Sequence, residues 1–297
     1  MDTRRTLWTA AALLLLVACS DGSTADRPQS AARASATPSI PRGAPSAVTS
    51  QSGRIVFDNH DDVWSINADG TGLTRLTDSP SLEFDPSWSP DGTRIAYRSD
   101  RNDESELWLM NADGSDRHRV ARGGFPAWSP DGSKIAYASP SSISIMNADG
   151  SGQRRVPHTD GGEYPSWSPD GTRIAFLRTT PGEHLTYIVD VDGSRVVDLS
   201  RLGDCWQVDW SPDGRSILFA SHRDQDEPGY TDIYVMRPDG SGVKRLTHNR
   251  GYTPAWSPDG THIVFSAGGL FVMRADGSGI TSLPVDGVGE TSFPDWR

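Results

Sequence analysis

Six aromatic residues, Phe84, Phe125, Tyr164, Trp206, Tyr252 and Phe293, stand three or four positions before six tryptophans that recur along the chain. Carboxylates are interleaved with them: Glu83, Asp85, Glu163, Asp204 and Glu290. Rings set beside carboxylates suit a peptide or a protein loop carrying basic charge, because apolar anchors and complementary charge are what interfaces use. The competing use of the same rings is plain packing between sheets, with the acids solvated.

Bond-making chemistry has less support. The chain contains no Gly-x-Ser-x-Gly elbow, which excludes a fused serine hydrolase of that type. It contains no His-Glu-x-x-His, P-loop or Cys-x-x-Cys either. The seven His are scattered; His222 and His248 are the pair most open to a metal, and unpaired surface histidines account for them equally well. No cofactor is expected. Acidic stretches at Asp100–Glu106 and Asp224–Glu227 offer the oxygen ligands calcium takes, but neither has EF-hand spacing. Cys205 has no cysteine partner in the mature domain and reads as a small buried hydrophobe.

The elements that position these residues come from a repeat. Trp-Ser-Pro-Asp-Gly occurs at Trp88, Trp128, Trp167, Trp210 and Trp256, and a sixth Trp stands at 296; the steps are 40, 39, 43, 46 and 40 residues. A period in this range marks a repeat architecture. Pro-Asp-Gly reverses the chain between two strands, since Pro presets φ and Gly accepts a positive one. Asn-Ala-Asp-Gly at Asn67, Asn111 and Asn147, and its relatives ending at Gly193, Gly240 and Gly277, does the same one hairpin later. Between the turns lie apolar runs such as Ile95-Ala-Tyr97 and Ile233-Tyr-Val-Met236, which predict strands covered on both faces. The fourth strand carries Arg75, Arg119, Arg155, Lys244 and Arg245, as an outer edge protected by charge would.

Four strands, A to D from the inside outward, repeated radially, make a β-propeller blade, with the Trp packed between neighbouring blades. The domain begins at Gly53 with a strand B that lacks its strand A, and it ends with a strand A around Trp296 that lacks its strand B. Joining the two closes a sixth blade, so the expected fold is an all-β, six-bladed propeller over 53–297. The A–B and C–D turns hardly vary, whereas the B–C and D–A connections do. The aromatics and acids named above begin strand A and so fall on the variable rim, at the mouth of the central channel, where binding loops on a rigid scaffold usually lie.

Residues 1–19 read as an export signal: Arg4-Arg5, a short apolar core over Leu7–Ala18, then Leu-Val-Ala-Cys19, which resembles the bacterial lipobox. Cys19 is the expected lipidation site, and the core is too short to span a membrane. Residues 20–52 are Ser-, Ala- and Pro-rich and read as a disordered tether. The formal net charge of −11 speaks against nucleic acid as a partner.

Trp-Ser-Pro-Asp-Gly, Ile-Ala-Tyr/Phe, Ile-Tyr-Val-Met and Asn-Ala-Asp-Gly-Ser together resemble the repeats of the TolB propeller family, across all six repeats from Gly53 to Arg297. The resemblance implies an extracytoplasmic, non-catalytic propeller that binds an envelope protein or peptide. The family's namesake carries an N-terminal α/β domain; here the lipobox and tether occupy that position. The expectation is a membrane-anchored, monomeric lipoprotein scaffold with its ligand at the channel mouth. The alternatives are a metal-dependent propeller hydrolase or lyase, and a carbohydrate-binding propeller.

Overall fold

The computed structural model describes residues 53–101, 104–180, 183–224, 230–248 and 250–297. The segments read as signal, lipobox and tether lie outside the described residues, as do parts of both acidic stretches.

Blade 1 contributes β1 (Arg54–Asp58), β2 (Val63–Asn67) and β3 (Thr74–Arg75). Blade 2 is β4 (Leu82–Trp88), β5 (Arg94–Arg101), β6 (Glu104–Asn111) and β7 (His118–Arg122). Blade 3 is β8 (Gly124–Trp128), β9 (Lys134–Ser139), β10 (Ser142–Asn147) and β11 (Arg154–Asp160). Blade 4 is β12 (Gly162–Trp167), β13 (Arg173–Thr180), β14 (Glu183–Asp190) and β15 (Val196–Asp198). Blade 5 is β16 (Trp206–Trp210), β17 (Ile217–Ser221), β18 (Asp232–Met236) and β19 (Lys244–Arg245). Blade 6 is β20 (Tyr252–Trp256), β21 (His262–Ser266), β22 (Leu270–Arg274) and β23 (Thr281–Ser282). The last strand, β24 (Ser292–Trp296), returns to pair antiparallel with β1, with Ile55 opposite Trp296 and Val56 opposite Asp295. Each sheet has four strands, and the expected closure of the first blade by the C-terminus is the observed topology.

The Trp-Ser-Pro-Asp-Gly turn is held by more than Pro and Gly. Gly92 N–H donates to Ser89 O (2.8 Å), closing the reversal with Gly92 at φ +68°. The Ser hydroxyl then works twice: Ser89 Oγ donates to Asp91 Oδ1 (2.6 Å) and accepts from Arg94 N–H (2.9 Å). The same triangle forms at Ser129–Asp131, Ser168–Asp170, Ser211–Asp213 and Ser257–Asp259. The hydroxyl and backbone donors hold Asp91, Asp131 and Asp170 down to about 2. Ser129→Ala would orphan the Lys134 N–H and remove one of the donors to Asp131, which keeps those of Ser133. The expected cost is about 1–3 kcal/mol, read by denaturant melts of the variant against the parent.

Adjacent turns stack. A Cβ at Gly214 would come to 3.1 Å from Pro169 Cγ of the preceding blade, and one at Gly132 to 3.6 Å from Pro90 Cδ. At Gly214 the glycine therefore serves close approach between blades as well as its dihedral, whereas at Gly132 the contact is an ordinary one and the positive φ alone calls for glycine.

Six apolar clusters make the core, one at each interface between neighbouring blades. Ala136, Ile143 and Ile145 of blade 3, for example, pack with Trp167, Ile174 and Phe176 of blade 4. At the closing interface Ile55, Phe57 and Ile66 meet Val264, Leu270 and Trp296. The repeated Trp sits in this seam, as expected; Trp88 and Trp296 are each 1% exposed. Trp128 Nε1 and Trp167 Nε1 donate across it to Ser87 O (3.2 Å) and Ala127 O (3.1 Å) of the previous blade.

Two features lay beyond the sequence reading. In three blades the arginine just before the strand-B isoleucine covers the next blade's Trp: Arg54 over Trp88 (5.3 Å), Arg94 over Trp128 (4.9 Å) and Arg173 over Trp210 (4.9 Å). The outer-strand arginines, read as guards of a free edge, are paired within their own blades. Arg75 binds Asp62 and Arg119 binds Glu106, each at 2.7 Å, and Arg155 and Arg245 pair with Asp160 and Asp232.

Candidate functional site

Every innermost strand carries the same irregularity. Three residues before the Trp, the backbone takes a positive φ: Asp85 (52°), Phe125 (52°), Tyr164 (52°), Gln207 (44°), Thr253 (44°) and Phe293 (46°). The pairing with strand B slips at this point in all six blades. A left-handed non-glycine residue in a bulge is strained, and repeated sixfold it is a designed feature that re-aims a side chain.

The bulge divides the six sequence-identified aromatics into two groups. Phe125, Tyr164 and Phe293 occupy the bulge itself and converge on the axis. Phe125 and Tyr164 have ring centroids 4.1 Å apart, and Tyr164 stacks on Phe293 at 5.9 Å. Phe84, Trp206 and Tyr252 fall one residue earlier and do not line the channel. Phe84 lies under Arg98 (4.5 Å) and near His60; Trp206 packs on His184 (3.9 Å); Tyr252 is half-buried on the rim. The spacing of three or four residues looked like a single class in the sequence. The one-residue difference changes which way the side chain points, because the strand alternates.

The carboxylates separate in the same way. Asp85, on the bulge, lines the channel and is 5% exposed. Glu83, near the start of β4, is fully buried away from the channel and accepts from Ser79 Oγ (2.6 Å). Glu163 accepts from Thr179 Oγ1 (2.8 Å). Asp204 accepts from His184 N–H (2.9 Å) and Trp206 Nε1 (3.1 Å); burial pushes its carboxyl up, and the hydrogen bonds from His184 outweigh that and hold it below its ordinary value. Glu290 is exposed on a D–A loop. Of the acids singled out in the sequence, only Asp85 reaches the channel wall.

The channel has two chambers. The upper, on the rim of the B–C and D–A loops, has a volume of about 110 Å³ and is lined by the bulge residues Asp85, Phe125, Tyr164, Gln207 and Phe293. The lower, about 350 Å³, lies inside the ring of Trp and Pro from the A–B turns and includes Arg297. Between them runs a waist formed by the residue before each Trp: Ser87, Ala127, Ser166, Asp209, Ala255 and Asp295. Asp209 accepts from Ser166 Oγ (3.1 Å) and Trp256 N–H (2.9 Å), and Asp295 accepts from Trp88 N–H (2.6 Å). Both carboxylates touch the lumen but are otherwise surrounded by protein. Burial pushes Asp209 up to about 7, against the pull of the Trp256 N–H, and burial raises Asp295 as well. These two acids were missed. The signal was available: four of the six repeats place Ser or Ala before the Trp, and two place Asp.

Behind the upper chamber sits a charge cluster that was also missed. Asp58 is fully buried and accepts the Asp85 N–H (3.0 Å). Arg98 pairs with Asp85 (3.2 Å) and Asp100 (3.4 Å) while lying over the rings of Phe84 and Phe125. Burial, reinforced by the charge of Asp85, raises Asp58 well above the usual carboxylate range. Burial lifts Asp85 to about 6, Arg98 opposing it; the Phe125 N–H also pulls it down without reaching hydrogen-bond geometry.

Elsewhere, Cys205 is buried and its thiol is pushed up to about 11 by that burial, as an inert core residue would be. His222 Nδ1 lies 2.7 Å from Tyr230 O and His248 is exposed. Among the described residues, no group of three or more His, Cys, Asp or Glu is gathered as a metal ion would require. No helix among them is long and apolar enough to cross a membrane.

Comparison with known proteins agrees with this fold. A family model described as the TolB beta propeller domain matches residues 41–207. The chain is 35% identical over 80 residues to the Tol-Pal system protein TolB of Alcanivorax borkumensis, covering 26% of this chain and 18% of that one. It is 27% identical over 222 residues to dipeptidyl-peptidase 5 of Porphyromonas endodontalis, covering 67% of this chain and 32% of that one. The match thus spans a third or less of the length of either relative. Among solved structures, TolB from Acinetobacter baumannii superposes with a TM-score of 0.69 at 22% identity, over 82% of this chain and 66% of that one.

Proposed function

The chain belongs to the TolB beta propeller domain family, and from that premise we propose that it is a non-catalytic scaffold that binds a protein or peptide at its upper rim and channel mouth. The observation that carries this reading is the mouth itself. Three clustered rings and a buried carboxylate are presented by strained bulges on the innermost, most rigid strands, beneath the loops that vary. Large rigid aromatics held on an ordered frame are what binding hot spots consist of. The kinship with a protein named for the Tol-Pal system supports a partner in the cell envelope. The sequence of the first 52 residues supports export, lipid attachment at Cys19 and a tether that holds the propeller away from a membrane surface.

The test replaces Phe125, Tyr164 and Phe293 together by Ala and crosslinks the chain to its surroundings in intact cells. The parent should capture a distinct envelope protein, and the triple variant should lose at least tenfold of that yield while keeping its β-sheet circular dichroism. Equal capture by the two removes the mouth as the binding site. A stoichiometric, tightly held metal in the purified chain would instead favour the metal-dependent hydrolase or lyase, and a saccharide hit on a glycan array would favour the carbohydrate-binding propeller.

A further inference from the structure

The polar atoms of the upper chamber are one-sided. Asp85 gives its Oδ2 to Arg98 (3.2 Å), and its Oδ1, buried, accepts no hydrogen bond. Gln207 Oε1, also buried and also on the chamber wall, accepts none either. The wall thus offers acceptors that want a donor, and orphaned buried acceptors are costly. The charge is one-sided in the same sense. Two carboxylates, Asp85 and Asp100, pair with a single guanidinium, that of Arg98. Above the prolines and waist residues, the wall also carries the three rings of Phe125, Tyr164 and Phe293, and aromatic π faces attract a cation. A volume of about 110 Å³ takes a headgroup and not a folded segment. The loops around the mouth continue the pattern: carboxylates outnumber arginines on the B–C and D–A connections, and neither Lys134 nor Lys244 lies on them.

We infer that the upper chamber is a seat for one ammonium group of the partner, a Lys side chain or a free chain N-terminus. The ammonium supplies the donors that Asp85 Oδ1 and Gln207 Oε1 lack, and the rings cover its hydrocarbon stem. This rests on the scaffold reading of the same mouth and names the chemistry that the mouth selects.

The test uses the full chain and n-butylammonium chloride, with 1-butanol as the uncharged match, followed by chemical-shift titration. Saturable binding of butylammonium, at least tenfold tighter than butanol, is expected, and Asp85→Asn should weaken it at least tenfold. Gln207→Leu, which keeps the carboxylate, should weaken it severalfold and covers the case in which Asp85→Asn misfolds. Acetyl-lysine amide, whose only amine is the side chain, and triglycine amide, whose only amine is the N-terminus, distinguish the two sources. Equal binding of butylammonium and butanol overturns the inference. So does unchanged binding in a folded Asp85→Asn variant, or calcium chloride saturating the site when butylammonium does not. Loss of partner capture in the triple aromatic variant, with no ammonium binding by the parent, would sink this inference alone; ammonium binding by the parent with unchanged capture in the triple variant would sink the scaffold reading and, with it, the assignment of the ammonium to that partner.

Discussion

Deleting residues 292–297 is expected to unfold the whole propeller rather than fray its end. The deletion removes β24, and with it the innermost strand of blade 1. Trp296 is 1% exposed in the seam between blades 6 and 1, beside Ile55, Leu270 and Val272. Losing one buried Trp side chain costs about 3–5 kcal/mol by itself. The deletion also strips the partner from β1, leaves the backbone of Arg54 without Arg297, and removes the Asp295 carboxylate that receives the Trp88 N–H of blade 2. Together these approach the 5–15 kcal/mol that a domain has in total. Thermal melts should show either no cooperative transition or one lowered by more than about 15 °C, since about 1 kcal/mol moves a chain of this size by 2–4 °C. A truncated chain that melts like the parent would show that the ring is not closed by its termini.

The second large effect is a stability that falls as pH rises, and its removal by Asp209→Asn. The Asp209 carboxyl titrates near 7 in the folded chain because burial disfavours its charge, and near 3.9 when unfolded. Between those values the folded state holds a proton that the unfolded state has released. By linkage, stability is full below about pH 4 and declines as pH climbs toward about 7. Three pH units correspond to about 4 kcal/mol as an upper figure; relaxation and water in the channel reduce it to the order of 2–4 kcal/mol. Asp58 and Asp85, both raised by burial, push in the same direction. In Asp209→Asn the amide can still accept from Trp256 N–H and carries no charge to desolvate. The variant should match the parent near pH 4 and exceed it at pH 8 when ΔG of unfolding is measured by urea titration. Parallel pH profiles for the two chains would show that the Asp209 carboxylate is not held in a poorly solvated site.

The repeat made the fold legible. Trp at a near-constant period, the two turn motifs and the apolar runs between them each follow from local rules, and the incomplete first and last repeats specified the closure. Those signals survive in one dimension because turn chemistry and strand alternation involve residues close in sequence. The arginines stacked on the next blade's Trp did not survive in that form. Arg94 and Trp128 are far apart along the chain, and nothing local marks the pair.

The candidate site was legible only in outline. That aromatics and acids precede each Trp was visible, and Phe125, Tyr164, Phe293 and Asp85 do line the channel. Which of the remaining rings and acids join them depended on a bulge that no turn residue announces, since its left-handed position holds Asp, Phe, Tyr, Gln and Thr rather than Gly. Sequence by itself thus determined the number of blades, the layering of each and the joining of the ends, because periodicity and turn chemistry are properties of neighbours. Tertiary structure decided the aim of each side chain at the mouth, the waist acids Asp209 and Asp295, and the grouping of Asp58, Asp85 and Arg98. Those depend on strands from different blades meeting at one axis, where a slip of one residue turns a side chain from the lumen into the wall.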